Sequence, residues 1–515
     1  MINILEMLEK TALRYPDRIA FRDPEKEVTF FELENRAKEA GTLFLRGGMC
    51  RTLKAEDPVA FFMEKSTDSL CLMMGAVYAG AFYSFIDVRQ PQERVSGVLS
   101  VLRPAVIITD RENMESAKKA AEEYDGDLEV VDINQFISRA EEEGIDETLL
   151  AKARGIFYDR MPLYVNFTSG STGIPKGVAV SHASVIEFIT VFTKTFGITS
   201  SDIIANQAPF DFDVSVKDIY TGLYTGATVV LIPRDYFTNP TVLMDYLYEN
   251  RVTTLIWAVS AMCFVSIMNG LEYKTPHTIK RIMFSGEVMP VKQLNKWKRS
   301  LPDAVYINLY GPTEITCNCT YYILDREFEK EDLIPAGIPF ENEKVFLLDE
   351  EDREVKASDR GKEGEICVSG SCLALGYYRD SKRTESVFTQ NPLNDRYPER
   401  IYRTGDIGKY DENGLLIYVS RKDFQIKHMG QRIELGEIES VASALDGVSR
   451  ACCIYDHKKK RILLFYTGEG EKDRIREGLL KRLPQFMMPA RIEALEEFPL
   501  NKNGKIDRNS LLNLS

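Results

Sequence analysis

Short apolar runs alternating with stretches of helical spacing constrain the fold of this chain more than any other feature. The runs at residues 59–62, 83–86, 105–109, 163–167, 228–232, 253–257, 281–284 and 305–308 are rich in Val, Ile, Phe and Tyr. They read as strands, and their alternation with helices predicts an α/β protein with mostly parallel sheets. One intervening helix opens on a capping box, Thr29 to Glu32, turns Leu33, Ala37, Ala40 and Phe44 to one side, and stops at Gly47-Gly48. Another, at residues 70–79, is built of small and apolar residues.

A chain of 515 residues exceeds one ordinary core, so a large multilayer N-terminal domain with a smaller one behind it is expected. Residues 331–343, punctuated by Pro335, Gly337 and Pro339, form one candidate boundary, and the charged stretch SRKD at 420–423 forms another. Beyond the second lie strands at 451–455 and 462–466 and a helix at 473–483, enough for a small, mobile α+β lid. The expected division is 1–421 for the large domain and 422–515 for the lid.

With 44% hydrophobic and 28% charged residues the composition is that of a globular protein. No apolar run spans a bilayer, and the N-terminus has neither the basic start nor the cleavage site of a signal peptide, so a cytoplasmic, non-membrane protein is expected. A formal net charge of −13 argues against nucleic acid as a partner, and the HKKKR run at 457–461 reads as a solvated turn. Nine cysteines without a C-x-x-C spacing, and four histidines, suggest neither a disulfide framework nor a zinc site.

The stretch FTSGSTGIPKG at 167–177 follows the strand at 163–166, packs four hydroxyls and two glycines into 168–173, and adds Lys176. Glycines let backbone N–H groups turn inward, hydroxyls add donors and the lysine adds charge, a combination suited to phosphate. The spacing is not that of a Walker loop, because Pro175 stands where its second glycine would be and Gly177 follows the lysine.

With that loop come FDVSV at 212, NLYGPTE at 308, GEICVSG at 364, YRTGD at 402, SRKDFQIKHMGQRIELGEIE at 420, LPQFMMP at 483 and PLNKNGKIDR at 499. In this order the blocks resemble the adenylate-forming enzymes, and among them the amino-acid-adenylating domains of nonribosomal peptide synthetases and the related D-alanine carrier-protein ligases. The resemblance covers nearly the whole chain. It implies that ATP and an amino acid are joined as aminoacyl-AMP with loss of pyrophosphate, and that the aminoacyl group then passes to a phosphopantetheine thiol. Few residues follow Arg508 and none belongs to a carrier domain, so the carrier protein is expected to be separate.

The resemblance also implies roles. Thr168, Ser169, Gly170, Ser171, Thr172, Gly173 and Lys176 would face the phosphates, with Gly286, Glu287, Asn308, Gly311 and Thr313 completing the nucleotide site. Tyr310 could stack on adenine or be a core aromatic. Asp406 and Arg421 match ribose contacts, Glu314 the residue that holds Mg²⁺, and Lys505 the lysine bridging carboxylate and α-phosphate. Asp423 matches the hinge, where Ser420 stands in place of the usual glycine, and Gly430 borders the pantetheine tunnel. Asp213 matches the partner of the α-ammonium, and Val214, Lys217, Ser260, Met283, Ser285, Leu309, Cys317, Asn318 and Lys505 match the rest of the family's pocket.

This lining is polar and favours a small or polar amino acid. Lys217 either faces the pocket, selecting a side-chain carboxylate or amide, or pairs with Asp211 or Asp218 and merely narrows it. An acyl-CoA synthetase would share the loop but not the Asp213 context. An inactive nucleotide-binding homologue would not need Lys176, Glu314, Asp406 and Lys505 together.

Overall fold

The computed structural model describes residues 1–124, 128–169, 175–329, 332–422, 425–499, 506 and 508–512. Alternation of strand and helix produces two parallel-rich sheets, as expected. In the seven-stranded sheet Pro162–Thr168, Phe82–Phe85, Pro58–Phe62, Val106–Thr109 and Val130–Asp132 run parallel. In the nine-stranded sheet Val305–Tyr310, Arg281–Ser285, Thr254–Ala258, Ile203–Asn206, Thr228–Leu231 and Ile19–Arg22 do the same. Antiparallel strands sit only toward their edges. A third, antiparallel sheet of six strands contains Arg400–Tyr410 and Leu416–Arg421.

Local chemistry sets the helices between them. Phe30–Arg46 begins at the Thr29–Glu32 capping box and ends at Gly47, whose φ of 79° is costly for residues with a Cβ. Thr67–Tyr78 starts earlier than its apolar pattern suggests, because Ser66 and Ser69 cap it reciprocally. The two helices cross closely: a Cβ on Gly75 would lie 2.5 Å from that of Ala40. Their buried faces join one large core between the first two sheets.

After Arg421 the chain forms a hairpin, Gln425–His428 with Gln431–Glu434, and a three-stranded sheet of Arg450–Asp456, Arg461–Thr467 and Arg491–Ala494. Helices Leu435–Ser443 and Lys472–Leu480 close over it around Ile433, Ile438, Leu464 and Leu479. This small α+β part therefore has its own core. The basic run at 457–460 is an exposed turn at the tip of a lid hairpin, as its composition suggested. All nine cysteines are free, and eight are buried. Among the described residues no helix is long and apolar enough to cross a membrane.

Candidate active site

Antiparallel pairing of Pro162–Thr168 with Lys176–Ser181 sets Thr168 opposite Lys176, at the two ends of the glycine-rich loop. Gly170, Ser171, Thr172 and Gly173 lie outside the described residues. Thr168 Oγ1 and Asn166 Oδ1 are buried without a hydrogen-bond partner among the described residues, a cost of about 1–3 kcal/mol each that a ligand or water would offset. Ser169 Oγ donates to the Arg432 carbonyl at 2.7 Å and accepts from the Glu434 N–H at 3.2 Å. The end of the loop's first strand is thus stitched to the hairpin Gln425–His428/Gln431–Glu434.

Glu314 sits below it on a tight turn leaving the strand Val305–Tyr310. The turn needs Gly311, where a Cβ would fall 2.4 Å from Asn318 Cα, and it holds Thr316 and Cys317 at φ of 53° and 79°. Such backbone persists only where its surroundings enforce it. Glu314 is fully buried; it accepts from Tyr377 Oη at 2.7 Å and from Arg432 Nη1 at 2.8 and 3.0 Å. Burial alone would raise its carboxyl, yet Arg432, Lys176 and the Tyr377 hydroxyl hold it well below the usual range. Lys176 stands 3.9 Å from Glu314 and 3.5 Å from Glu434, and burial pushes it down to about 8. Sequence reasoning missed Arg432, Glu434 and Tyr377. The only available signal was charge beside the apolar Ile433 in a strand-like run.

Beside this ion cluster opens a cavity of about 920 Å³ whose walls include Gly286, Glu287, Asn308, Tyr310, Tyr418 and Arg421. Cross-strand register sets Asp406 opposite Arg421. Arg421 Nη1 donates to one carboxylate oxygen at 2.6 Å and Tyr310 Oη to the other at 2.6 Å. Tyr310 is buried in the core and forms part of the cavity wall. Asn308 Nδ2 donates to the Pro335 carbonyl at 2.7 Å. Gly286, at φ 98°, has nothing within 4 Å of where a Cβ would stand. Gly430 donates its N–H to Glu287, and its own Cβ would meet Ser260 Oγ at 3.0 Å. Ser260 thus lies beside the hairpin tip. Lys427, also missed, is lowered by burial and opposed by Asp406.

Asp213 immediately precedes the helix Val214–Thr225 and borders a second cavity, about 50 Å³, with Asn166, Thr168, Thr313 and Arg432. Burial raises its carboxyl, and a hydrogen bond from Thr313 opposes that. Cys317 Sγ donates to the Asp213 carbonyl at 3.0 Å. Val214, Met283, Ser285, Leu309, Cys317 and Asn318 are all buried around this end of the helix and the neighbouring strands. Lys217 pairs with neither Asp211 nor Asp218 within 4 Å; its Nζ donates to Asn318 Oδ1 at 2.8 Å and Ser285 Oγ at 3.4 Å. Asp423 and Lys505 lie outside the described residues.

The sequence matches the AMP-binding enzyme family over residues 8–378 and the C-terminal domain of AMP-binding enzymes over residues 437–505. The chain belongs to the AMP-binding enzyme family. It is 29% identical over 517 residues to tyrocidine synthase 1 of Brevibacillus parabrevis, covering 99% of this chain and 45% of that one. With surfactin synthase subunit 1 of Bacillus subtilis (strain 168) it shares 31% over 521 residues, 99% of this chain and 14% of the other. The chain thus spans less than half the length of these curated relatives. Among solved structures, the Vibrio cholerae adenylation domain AlmE in complex with glycyl-adenosine-5'-phosphate superposes with a TM-score of 0.84 at 21% identity, covering 100% and 98% of the two chains. Holo-PA1221, a protein with adenylation and PCP domains, gives 0.83 at 24% over 99% and 84%. At these identities the two structures establish the shared fold.

Proposed function

We propose that the chain activates an amino acid with ATP and transfers it to the phosphopantetheine thiol of a carrier protein. The observation that carries this reading is the grouping, about the Glu314–Arg432 ion pair, of Lys176 and the Thr168 hydroxyl, the Asp406–Arg421 pair beside the larger cavity, and the half-buried Asp213 on the smaller one. These would meet, in turn, the phosphates, the ribose hydroxyls and the α-ammonium. An oxygen of the amino-acid carboxylate attacks the α-phosphorus, the bond to pyrophosphate breaks, and a mixed anhydride forms. The thiol sulfur then attacks its carbonyl carbon and AMP leaves. Lys505 would stabilise the charge gathering between carboxylate and α-phosphate.

Glu314 offers the single hard carboxylate typical of a Mg²⁺ site completed by substrate phosphates, so its chemistry fits that ion. When bound, Mg²⁺ neutralises phosphate charge. Both Glu314 oxygens are engaged by Arg432, so the ion and this hairpin position would compete for the carboxylate. That competition supports a lid, residues 422–515, that turns about Asp423 between the two half-reactions, with Gly430 bordering the thiol's path in the arrangement described. The adenylation and PCP domains joined in PA1221 and in an NpsA–ThdA fusion support a carrier partner.

The lining supports a small or polar amino acid. Amino-acid-dependent exchange of pyrophosphate into ATP, measured over L- and D-amino acids, tests the reading. Exchange with at least one amino acid is expected. Activity with a plain carboxylic acid and none with any amino acid contradicts it.

A further inference from the structure

Resting on the two-step reading above, we propose that Glu437, acting through Arg94, is a positioning residue for the thiol-transfer half-reaction: the pair latches the small part in the arrangement described. Arg94 and Glu437 form an ion pair whose side chains are 8% and 1% exposed. Each stands in the first turn of its helix, Gln92–Leu102 and Leu435–Ser443 respectively. The helix dipole stabilises a glutamate there and opposes an arginine. Val95, Val98, Leu99 and Leu102 already supply the apolar face of the first helix, so neither dipole nor core calls for a buried cation at 94. Its partner in the small part does.

Other residues of the small part converge on the same turn. Arg482 Nε stands 3.3 Å from Glu93 Oε2, but at 37% and 61% exposure such a pair contributes little. Phe486 borders the small cavity together with Gln90 and Arg94. The buried pair is therefore the strong member of this contact, and the rest is its rim.

Elsewhere the small part holds groups that the nucleotide is proposed to need. Arg432 engages Glu314, Glu434 faces Lys176, Ser169 bonds to the hairpin backbone, and Gly430 bonds to Glu287. Mg·ATP competes for these groups. Arg94 and Glu437 have no place among the proposed ATP contacts, so their pair biases the small part without entering that chemistry. Joined and buried, each ion depends on the other; apart, each regains water. Glu437→Gln therefore penalises this arrangement alone, where Arg94 keeps only a neutral partner. The population shifts toward the arrangement in which Glu314 is open to Mg²⁺, and apparent affinity for Mg·ATP rises in proportion. Transfer to the thiol, which uses the arrangement described, falls.

The test compares wild type, Glu437→Gln and Glu437→Asp in the full chain. Calorimetric titration should show Mg·ATP binding roughly 5–10-fold tighter in Glu437→Gln, and tightened less in Glu437→Asp, which keeps the charge at a shorter reach. Pyrophosphate exchange with the most active amino acid should not fall below the wild-type rate. Transfer of the aminoacyl group to free pantetheine should drop by about fivefold or more. A merely structural glutamate would lower all three together. Unchanged or weaker Mg·ATP binding in Glu437→Gln overturns the proposal, as does thioester formation at the wild-type rate. Should Glu437→Gln not fold, the same titration on Glu437→Asp decides. If the wild type exchanges pyrophosphate with no amino acid, the activation reading falls, and the Mg·ATP titration still judges the latch.

Discussion

Two buried glutamates ionise in opposite senses, and their neighbours explain why. Glu314 has Arg432 and Lys176 beside it and stays charged far into acid. Glu343 has only the Cys372 N–H on one oxygen, at 2.9 Å, while the other oxygen has no partner, and burial raises it to about 7 from an ordinary 4.5. Between these two values the folded state binds the extra proton, so this group lowers stability as pH rises from 4.5 to 7 and the loss is complete above 7. Glu343→Gln should therefore raise stability by about 2 kcal/mol at pH 8 and leave it unchanged at pH 4, as read by denaturant unfolding at both values. A gain at pH 4 equal to that at pH 8 would point to packing rather than charge. Lys217 shows where residue-level reading runs out. Its sequence neighbours Asp211 and Asp218 both offered plausible pairs, whereas its actual partner, Asn318, lies 101 positions away. No local pattern specifies that contact.

Elements were legible where capping and period spoke together. The helix Phe30–Arg46 begins and ends where its capping box and glycine predict. Thr67–Tyr78 was placed late, since Ser69 in the third helical position is a weaker signal than a glutamate. The turn at Glu314 could not be read, because Thr316 and Cys317 adopt positive φ without a glycine to announce it. Least legible was the docking of the hairpin Gln425–His428/Gln431–Glu434, which meets Ser169, Glu287 and Glu314 through contacts far apart in the chain. Since Arg432 occupies the carboxylate proposed for Mg²⁺, Arg432→Ala should remove a competitor and tighten binding of Mg·ATP by roughly tenfold, about 1.4 kcal/mol. Isothermal titration calorimetry would read the change. An unaltered or weakened affinity would mean that the hairpin and the nucleotide do not compete.

At the scale of the molecule, two parallel-rich sheets and an antiparallel sheet are followed by a small part with its own core. A buried Arg94–Glu437 pair joins the helix Gln92–Leu102 to the helix Leu435–Ser443. This layering followed from strand and helix periodicity. What periodicity cannot supply is the relative setting of large and small parts, which long-range ion pairs decide. The proposed site makes aminoacyl-AMP, with Lys505 from the small part completing it. Mass spectrometry of products formed from ATP and the best amino acid tests this. The wild type should yield aminoacyl-AMP and pyrophosphate in equal amounts, and Lys505→Ala should still bind ATP but yield neither. Aminoacyl-AMP absent from the wild type with every amino acid, or formed undiminished by Lys505→Ala, would contradict it.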